Sequence, residues 1–422
     1  MSDSVVRARE AVARGEWSEA LGLLVELDTR EPLAAADLEL LAQVAYTAGR
    51  LDLTLDAWER AYRDAIRAGE SIAAANAALR VALHLLMDSA LMAPVRGWLQ
   101  RAEELLEGHD EHPVQAWLGV VHGYERLLSG DLPAARAWTR RAIDLGSRAE
   151  PAAAAVARVA EARAMILGGE VREGLARLDA AGVAAVSGEL DATSAGIVYC
   201  EVLCALQGLA HFERADQWTE AMERWCRVGQ VASFPGRCRV HRAEILRLRG
   251  SCSEAAREAE RACDELRPFL RRELGWPLSE LGRIRLQQGD IDGAEEAFLA
   301  AHQAGWQSQP GLALVHLARG ETGEAAAAIR DALERPSYVP SKEYPPNTEL
   351  RRAPLLAAQV EIELAAGDLA RAAAATEELG VIAARFESKA LAAMTAFAVG
   401  CLRLAEGDLS TARATLEQAI EL

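Results

Sequence analysis

The chain has 422 residues, 51% hydrophobic and 26% charged, which is ample apolar material to fold but long for one compact core, so an elongated or multi-unit body is expected. Its formal charge is −17, from 46 basic against 63 acidic residues, and no basic run segregates the positive side. A nucleic-acid backbone would be repelled overall, so direct nucleic-acid binding is not expected.

The first residues, "MSDSVVRAREAVARGEW", are polar and lack the apolar core of a signal peptide, and no stretch approaches the roughly 18 unbroken apolar residues of a membrane span. The expectation is a cytoplasmic protein with no membrane contact. Seven cysteines, an odd number without framework spacing, suit reduced thiols in that compartment.

From Gly15 onward one phrase recurs: "GEWSEALGLL" at Gly15, "GRLDLTLDAW" at Gly49, "GDLPAARAWT" at Gly130, "GEVREGLARL" at Gly169, "GSCSEAAREA" at Gly250, "GDIDGAEEAF" at Gly289, "GETGEAAAAI" at Gly320, "GDLARAAAAT" at Gly367 and "GDLSTARATLEQAIEL" at Gly407. Most copies recur at roughly 34 to 41 residues or twice that, with 31 from Gly289 to Gly320 and 47 from Gly320 to Gly367. Five residues after the glycine comes a small residue (Ala20, Ala135, Gly174, Ala255, Ala294, Ala325, Ala372, Ala412), and twelve after it alanine is common (Ala61, Ala142, Ala262, Ala301, Ala332, Ala419). Some copies carry a glycine seven before (Gly123, Gly282, Gly400), and a larger apolar residue often sits nine after (Leu24, Trp58, Leu178, Phe298, Ile329, Leu416). The offsets describe two antiparallel helices. Glycine ends the first with a left-handed cap, the next polar residue helps start the second, and small residues let the pair approach closely.

The phrase weakens around residues 70–108 and 190–230, where alanine and "HFERADQW" replace the turn glycine. It breaks at "PSYVPSKEYPPNTELRR", Pro336 to Arg352, whose four prolines predict an irregular surface loop. Repeats are therefore expected over 1–335, the loop over 336–352, and further repeats over 353–422.

The phrase resembles the tetratricopeptide repeat over nearly the whole chain, most specifically at Gly282-Gly289-Ala294-Phe298-Ala301 and Gly400-Gly407-Ala412-Leu416-Ala419. The resemblance implies an all-α, right-handed superhelical solenoid of about eleven helix pairs. In such repeats the first helix of each pair lines the inner face, and positions 13, 10, 6 and 3 before the turn share one side of that helix. This gives candidate ligand-binding residues Tyr46, Arg80, His84, Trp117, Tyr124, Arg163, Gln207, Arg237, Glu244, Arg247, Trp276 and Arg283, with Gln43, Cys200 and Cys204 at the same positions. Arginine beside aromatic surface suits an anionic, partly apolar small molecule or a peptide. The lysine and asparagine of carboxylate-clamping tetratricopeptide domains are missing, since the only lysines are Lys342 and Lys389.

Catalytic signatures are absent from the sequence. Both lysines follow serine rather than glycine, which excludes a Walker-type loop, and there is no HExxH pair and no Gly-x-Ser-x-Gly elbow. Cys200 and Cys204 lie one helical turn apart but lack the further ligands zinc wants, and His109 and His112 sit in a polar loop, "GHDEHP". No enzyme activity, cofactor or metal is expected.

The phrases "LDAWERAYRDAIRAGE", "GWLQRAEELLEG", "CRVHRAEILRLRG" and "RIRLQQGDIDGAEEAF" are similar to the helical-repeat region of large bacterial LuxR-type transcription regulators of the actinobacterial kind. That resemblance implies a sensory or protein-interaction region; the family's "T-x-R-E" and "S-N-x-E-I-A" DNA-reading motifs and its ATPase module do not occur here. The alternative is a stand-alone scaffold that assembles proteins. The last helix stops just after Ala419-Ile420 with no polar cap, which leads to the expectation of a piece of a longer regulator, or of homodimers formed through the open end.

Overall fold

The computed structural model describes residues 3–89, 91–229, 237–267, 273–335 and 349–422. Among them are 22 α-helices that run as eleven consecutive pairs. The first six pairs are α1 (Asp3–Ala13) with α2 (Trp17–Arg30), α3 (Ala35–Thr47) with α4 (Leu51–Ala68), α5 (Ser71–His84) with α6 (Met92–Leu105), α7 (Gln115–Leu128) with α8 (Leu132–Ala149), α9 (Pro151–Leu167) with α10 (Val171–Val186), and α11 (Ala192–Gly208) with α12 (Phe212–Gly229). The last five are α13 (Arg237–Leu248) with α14 (Cys252–Leu266), α15 (Gly275–Gln287) with α16 (Ile291–Gln303), α17 (Gly311–Ala318) with α18 (Thr322–Glu334), α19 (Ala353–Ala366) with α20 (Leu369–Phe386), and α21 (Lys389–Ala405) with α22 (Leu409–Glu421).

All nine turn glycines of the repeated phrase have positive φ, from 76° at Gly15 to 95° at Gly169, so each closes its first helix in the left-handed conformation the sequence pattern requires. Where aspartate follows the glycine, its carboxylate caps the second helix: Asp131, Asp290, Asp368 and Asp408 each accept from the backbone N–H three residues on, at 3.0 to 3.1 Å. Glu16 and Glu321, one methylene longer at the same position, make no such side-chain bond.

The small residues five after the turn are buried, Ala20, Ala135, Ala255, Ala294, Ala325 and Ala372 completely. The glycine seven before and the residue nine after pack on each other. A Cβ on Gly123 would meet Thr139, one on Gly282 would meet Phe298, and one on Gly400 would meet Leu416, all within 2.7 Å. Burying a side chain such as Phe298, 1% exposed, is worth about 1.5 to 3 kcal/mol, and the missing Cβ is what makes the room. The described residues are thus all-α and run in eleven helix pairs, as the repeated phrase predicts.

The two weak stretches are solved differently. Ala210 holds the turn at φ 56°, the conformation glycine takes elsewhere, and a short π-helical turn, Leu85–Ser89, links α5 to α6 without any glycine. Most of the proline-rich segment, 336–348, lies outside the described residues; Glu349–Arg352 forms one 3-10 turn that runs into α19. No helix among the described residues is long and apolar enough to cross a membrane.

The chain divides into two compact units. The first comprises Met1–Met165, Arg172–Val202 and Trp218–Cys238, and the second Ile166–Val171, Leu203–Gln217 and Arg239–Leu422. Within the second, the Ser388 hydroxyl at the start of α21 donates to the Ala210 carbonyl at 3.2 Å, so residues far apart in sequence meet beside the α11–α12 turn.

Candidate functional site

In the first unit the candidate residues are mostly interior. Trp117 is 1% exposed, and its indole N–H donates to Glu150 at 3.0 Å. Tyr124 is fully buried, with its hydroxyl 3.5 Å from the Val156 carbonyl. Arg163 is buried in an ion pair with Glu201, also buried. Packing encloses all three, Trp117 and Tyr124 on α7 and Arg163 on α9. Tyr46 and the buried His84 contact each other, with ring centroids 4.6 Å apart.

Arg80 is the exception. Its guanidinium lies 3.9 Å from the centre of the Trp117 ring and 6.0 Å from that of Trp58, and its buried Nε has no hydrogen-bond partner among the described residues. Desolvation lowers its pKa while Asp191, Glu150 and Glu39 act from further off, so the charge is held by aromatic faces and a diffuse acidic field.

The second unit gathers five of the predicted residues into one cleft of about 410 Å³: Gln207, Glu244, Arg247, Trp276 and Arg283. First helices of five pairs build it, with α11 supplying Gln207, α13 Glu244 and Arg247, α15 Trp276 and Arg283, α19 Leu355, and α21 Leu391 and Met394. Phe212, Trp306, Gln307, Gln309, Pro310 and Arg351 complete the wall. Arg237 begins α13, but its side chain lies outside the described residues.

Glu280, 1% exposed, organises the charges. It accepts from Arg247 Nε through one oxygen and from Arg283 Nη1, at 2.9 Å, through the other. One carboxylate thus fixes two guanidinium groups from neighbouring helices, and those groups hold its pKa low against the opposing effect of burial. Glu244, one turn before Arg247, has an oxygen 3.8 Å from Arg247 Nη2, outside hydrogen-bond reach. Burial, then the nearby Glu280 charge, push the Glu244 carboxyl up.

Aromatic and amide groups frame this cluster. Trp276 is 6% exposed and lies edge-on to His241, with ring centroids 4.7 Å apart, and nearly parallel to Trp306, 6.4 Å away. His241 is held in turn by Gln207, whose amide oxygen accepts from Nδ1, while Nε2 lies 3.3 Å from the Cys204 sulfur. The cleft thereby offers cationic nitrogen donors beside flat apolar surface, with rigid packing behind both. Sequence spacing did not mark Glu280, which lies off the predicted inner stripe, nor Arg351, which comes from the segment that breaks the repeat; Met394, 13 residues before Gly407, does fall on that stripe. The one local signal for Glu280 was that it is the only acid of α15 and lies three residues before Arg283.

No protein-family model matches the chain, and no curated protein matches its sequence. Solved structures do. The crystal structure of the APC/C hetero-tetramer Cut9–Hcn1 is similar at 11% identity over 99% of this chain and 89% of that one, with a TM-score of 0.44. A tetratricopeptide repeat protein from Parabacteroides merdae is similar at 14% identity over 73% of this chain and 93% of that one, with a TM-score of 0.32. The human IFIT1 dimer with m7Gppp-AAAA is similar at 15% identity over 99% of this chain and 89% of that one, with a TM-score of 0.43.

Proposed function

We propose that this chain is a non-catalytic recognition protein whose second unit holds an anionic, partly aromatic small molecule, and that it serves as the sensory region of a bacterial LuxR-type transcription regulator. The observation that carries the binding reading is the Arg247–Glu280–Arg283 bridge beside Trp276 in a cleft of about 410 Å³. That volume suits a compact ligand, the two guanidinium groups suit a carboxylate or sulfonate, and Trp276, Trp306 and Phe212 suit a ring. The regulatory part rests on the similarity of the repeat phrases to those of that family.

A second reading, a scaffold that joins proteins, draws support from Phe397 and Leu404, 56% and 54% exposed and seven residues apart on one side of α21.

Fluorescence titration with anilinonaphthalene sulfonate, an aromatic anion, separates the two readings. The sensor reading expects saturable binding, weakened at least about tenfold by Arg283→Gln, with displacement by simple aryl carboxylates. Absence of saturable binding, or equal binding by the variant, would leave the scaffold.

A further inference from the structure

Resting on that reading of the cleft, we infer that Glu244 selects the occupant's charge: protonated, it admits an anion to Arg247, and ionised, it holds that position against one. The geometry sets two carboxylates around one guanidinium. Glu280 is sealed in the wall and already bonded to Arg247 and Arg283, so it cannot yield. Glu244 lines the cleft with 19% of its side chain exposed and stands 3.8 Å from Nη2 of Arg247, the guanidinium whose Nε is bonded to Glu280.

An anion that approaches Arg247 must therefore come within a few ångströms of Glu244. Two like charges at that separation in a partly desolvated site oppose each other strongly, and protonation of Glu244 removes the conflict. The charged and titratable groups facing Glu244 are His241 and Arg247 on its own helix and Glu280 and Arg283 on α15, with Arg351 elsewhere on the cleft wall. Burial and Glu280 already favour its neutral form, so little further bias is needed for the proton to follow the ligand.

The linkage has a definite sign. Binding of an anion raises the Glu244 pKa further, so binding takes up a proton, and affinity strengthens as pH falls through the Glu244 titration. On the alkaline side the dissociation constant should weaken by up to about tenfold per pH unit, the limit for one linked proton. A neutral aromatic of similar shape should show no such slope, so the same residue discriminates anions from neutral ligands in a pH-dependent way.

The test is the affinity of the intact protein for anilinonaphthalene sulfonate, whose sulfonate stays ionised, measured from about pH 5.5 to about pH 8.5 for the native chain, Glu244→Gln and Arg283→Gln. The expected result is a falling affinity with rising pH in the native chain and a slope removed in Glu244→Gln, which binds at high pH as tightly as the native chain does at low pH. Thermal denaturation of each variant confirms folding. A flat profile in the native chain while Arg283→Gln still weakens binding would overturn the role of Glu244 and leave the cleft standing. A slope that persists in Glu244→Gln would assign the proton to another group and equally overturn it. Loss of the effect of Arg283→Gln would remove the binding site itself.

Discussion

Phe298 on α16 occupies the space that a side chain on Gly282 of α15 would need: a Cβ there would come within 2.7 Å of the ring. Gly282→Ala should therefore lose about 1 to 3 kcal/mol, the usual cost of overpacking a tight contact. Gly97, exposed in the middle of α6 with nothing within 4 Å of a built Cβ, provides the opposite case. Gly97→Ala should gain up to about 1 kcal/mol from backbone entropy alone. Denaturant unfolding of both variants checks the pair, and similar losses in both would contradict it.

Arg163 and Glu201 are buried together, so removing Arg163 takes an opposite charge away from a buried carboxylate. Arg163→Ala should cost about 3 to 5 kcal/mol, while Arg163→Met combined with Glu201→Leu should recover most of the loss by replacing the ion pair with packing. A double-mutant cycle in urea measures this; a double variant as unstable as the single one would count against it.

Ala210 takes φ 56° where other repeats have glycine. An L-residue costs about 1 to 2 kcal/mol there, and glycine gives back about 0.4 to 1 kcal/mol through its greater freedom when unfolded. Ala210→Gly should raise stability by about 0.5 to 1 kcal/mol, read as a higher melting temperature; a fall would show that the Ala210 methyl packs productively.

The two cleft carboxyls should act oppositely on stability as pH changes. Glu280 has a lowered pKa in the folded chain, so its contribution is present above the unfolded carboxylate pKa and is lost as pH falls through the folded value. Glu280→Gln should cost about 3 kcal/mol at neutral pH, with the deficit shrinking in acid. Glu244 has a raised pKa, so the folded chain binds its proton more tightly and loses stability as pH rises through that titration. Glu244→Gln should then be the more stable protein at neutral and alkaline pH. Unfolding curves at several pH values would contradict this if both variants moved in the same direction.

The architecture was readable because its devices are residue-specific. A left-handed turn favours glycine, an aspartate caps where a glutamate does not, and Gly282 with Phe298 write one contact into two fixed offsets. Ala210 escaped the pattern, since alanine does not advertise a left-handed backbone. For the site, helical spacing assigns one side of each first helix to the inner face but carries no record of how deeply that side is covered. It therefore named Trp117, Tyr124 and Arg163, which packing encloses, as readily as Arg247 and Trp276, which line the cleft. Glu280 and Arg351 depend on contacts between helices distant in sequence, which no local period records.

A crystal structure of the protein with anilinonaphthalene sulfonate bound tests the central claim most directly. The account predicts the sulfonate beside Arg247 and Arg283 and the rings against Trp276 or Trp306, with Glu280 still bridging the arginines. Density for the probe elsewhere, beside Arg80 or over Phe397 and Leu404, with the cleft empty at saturating concentration, would contradict it.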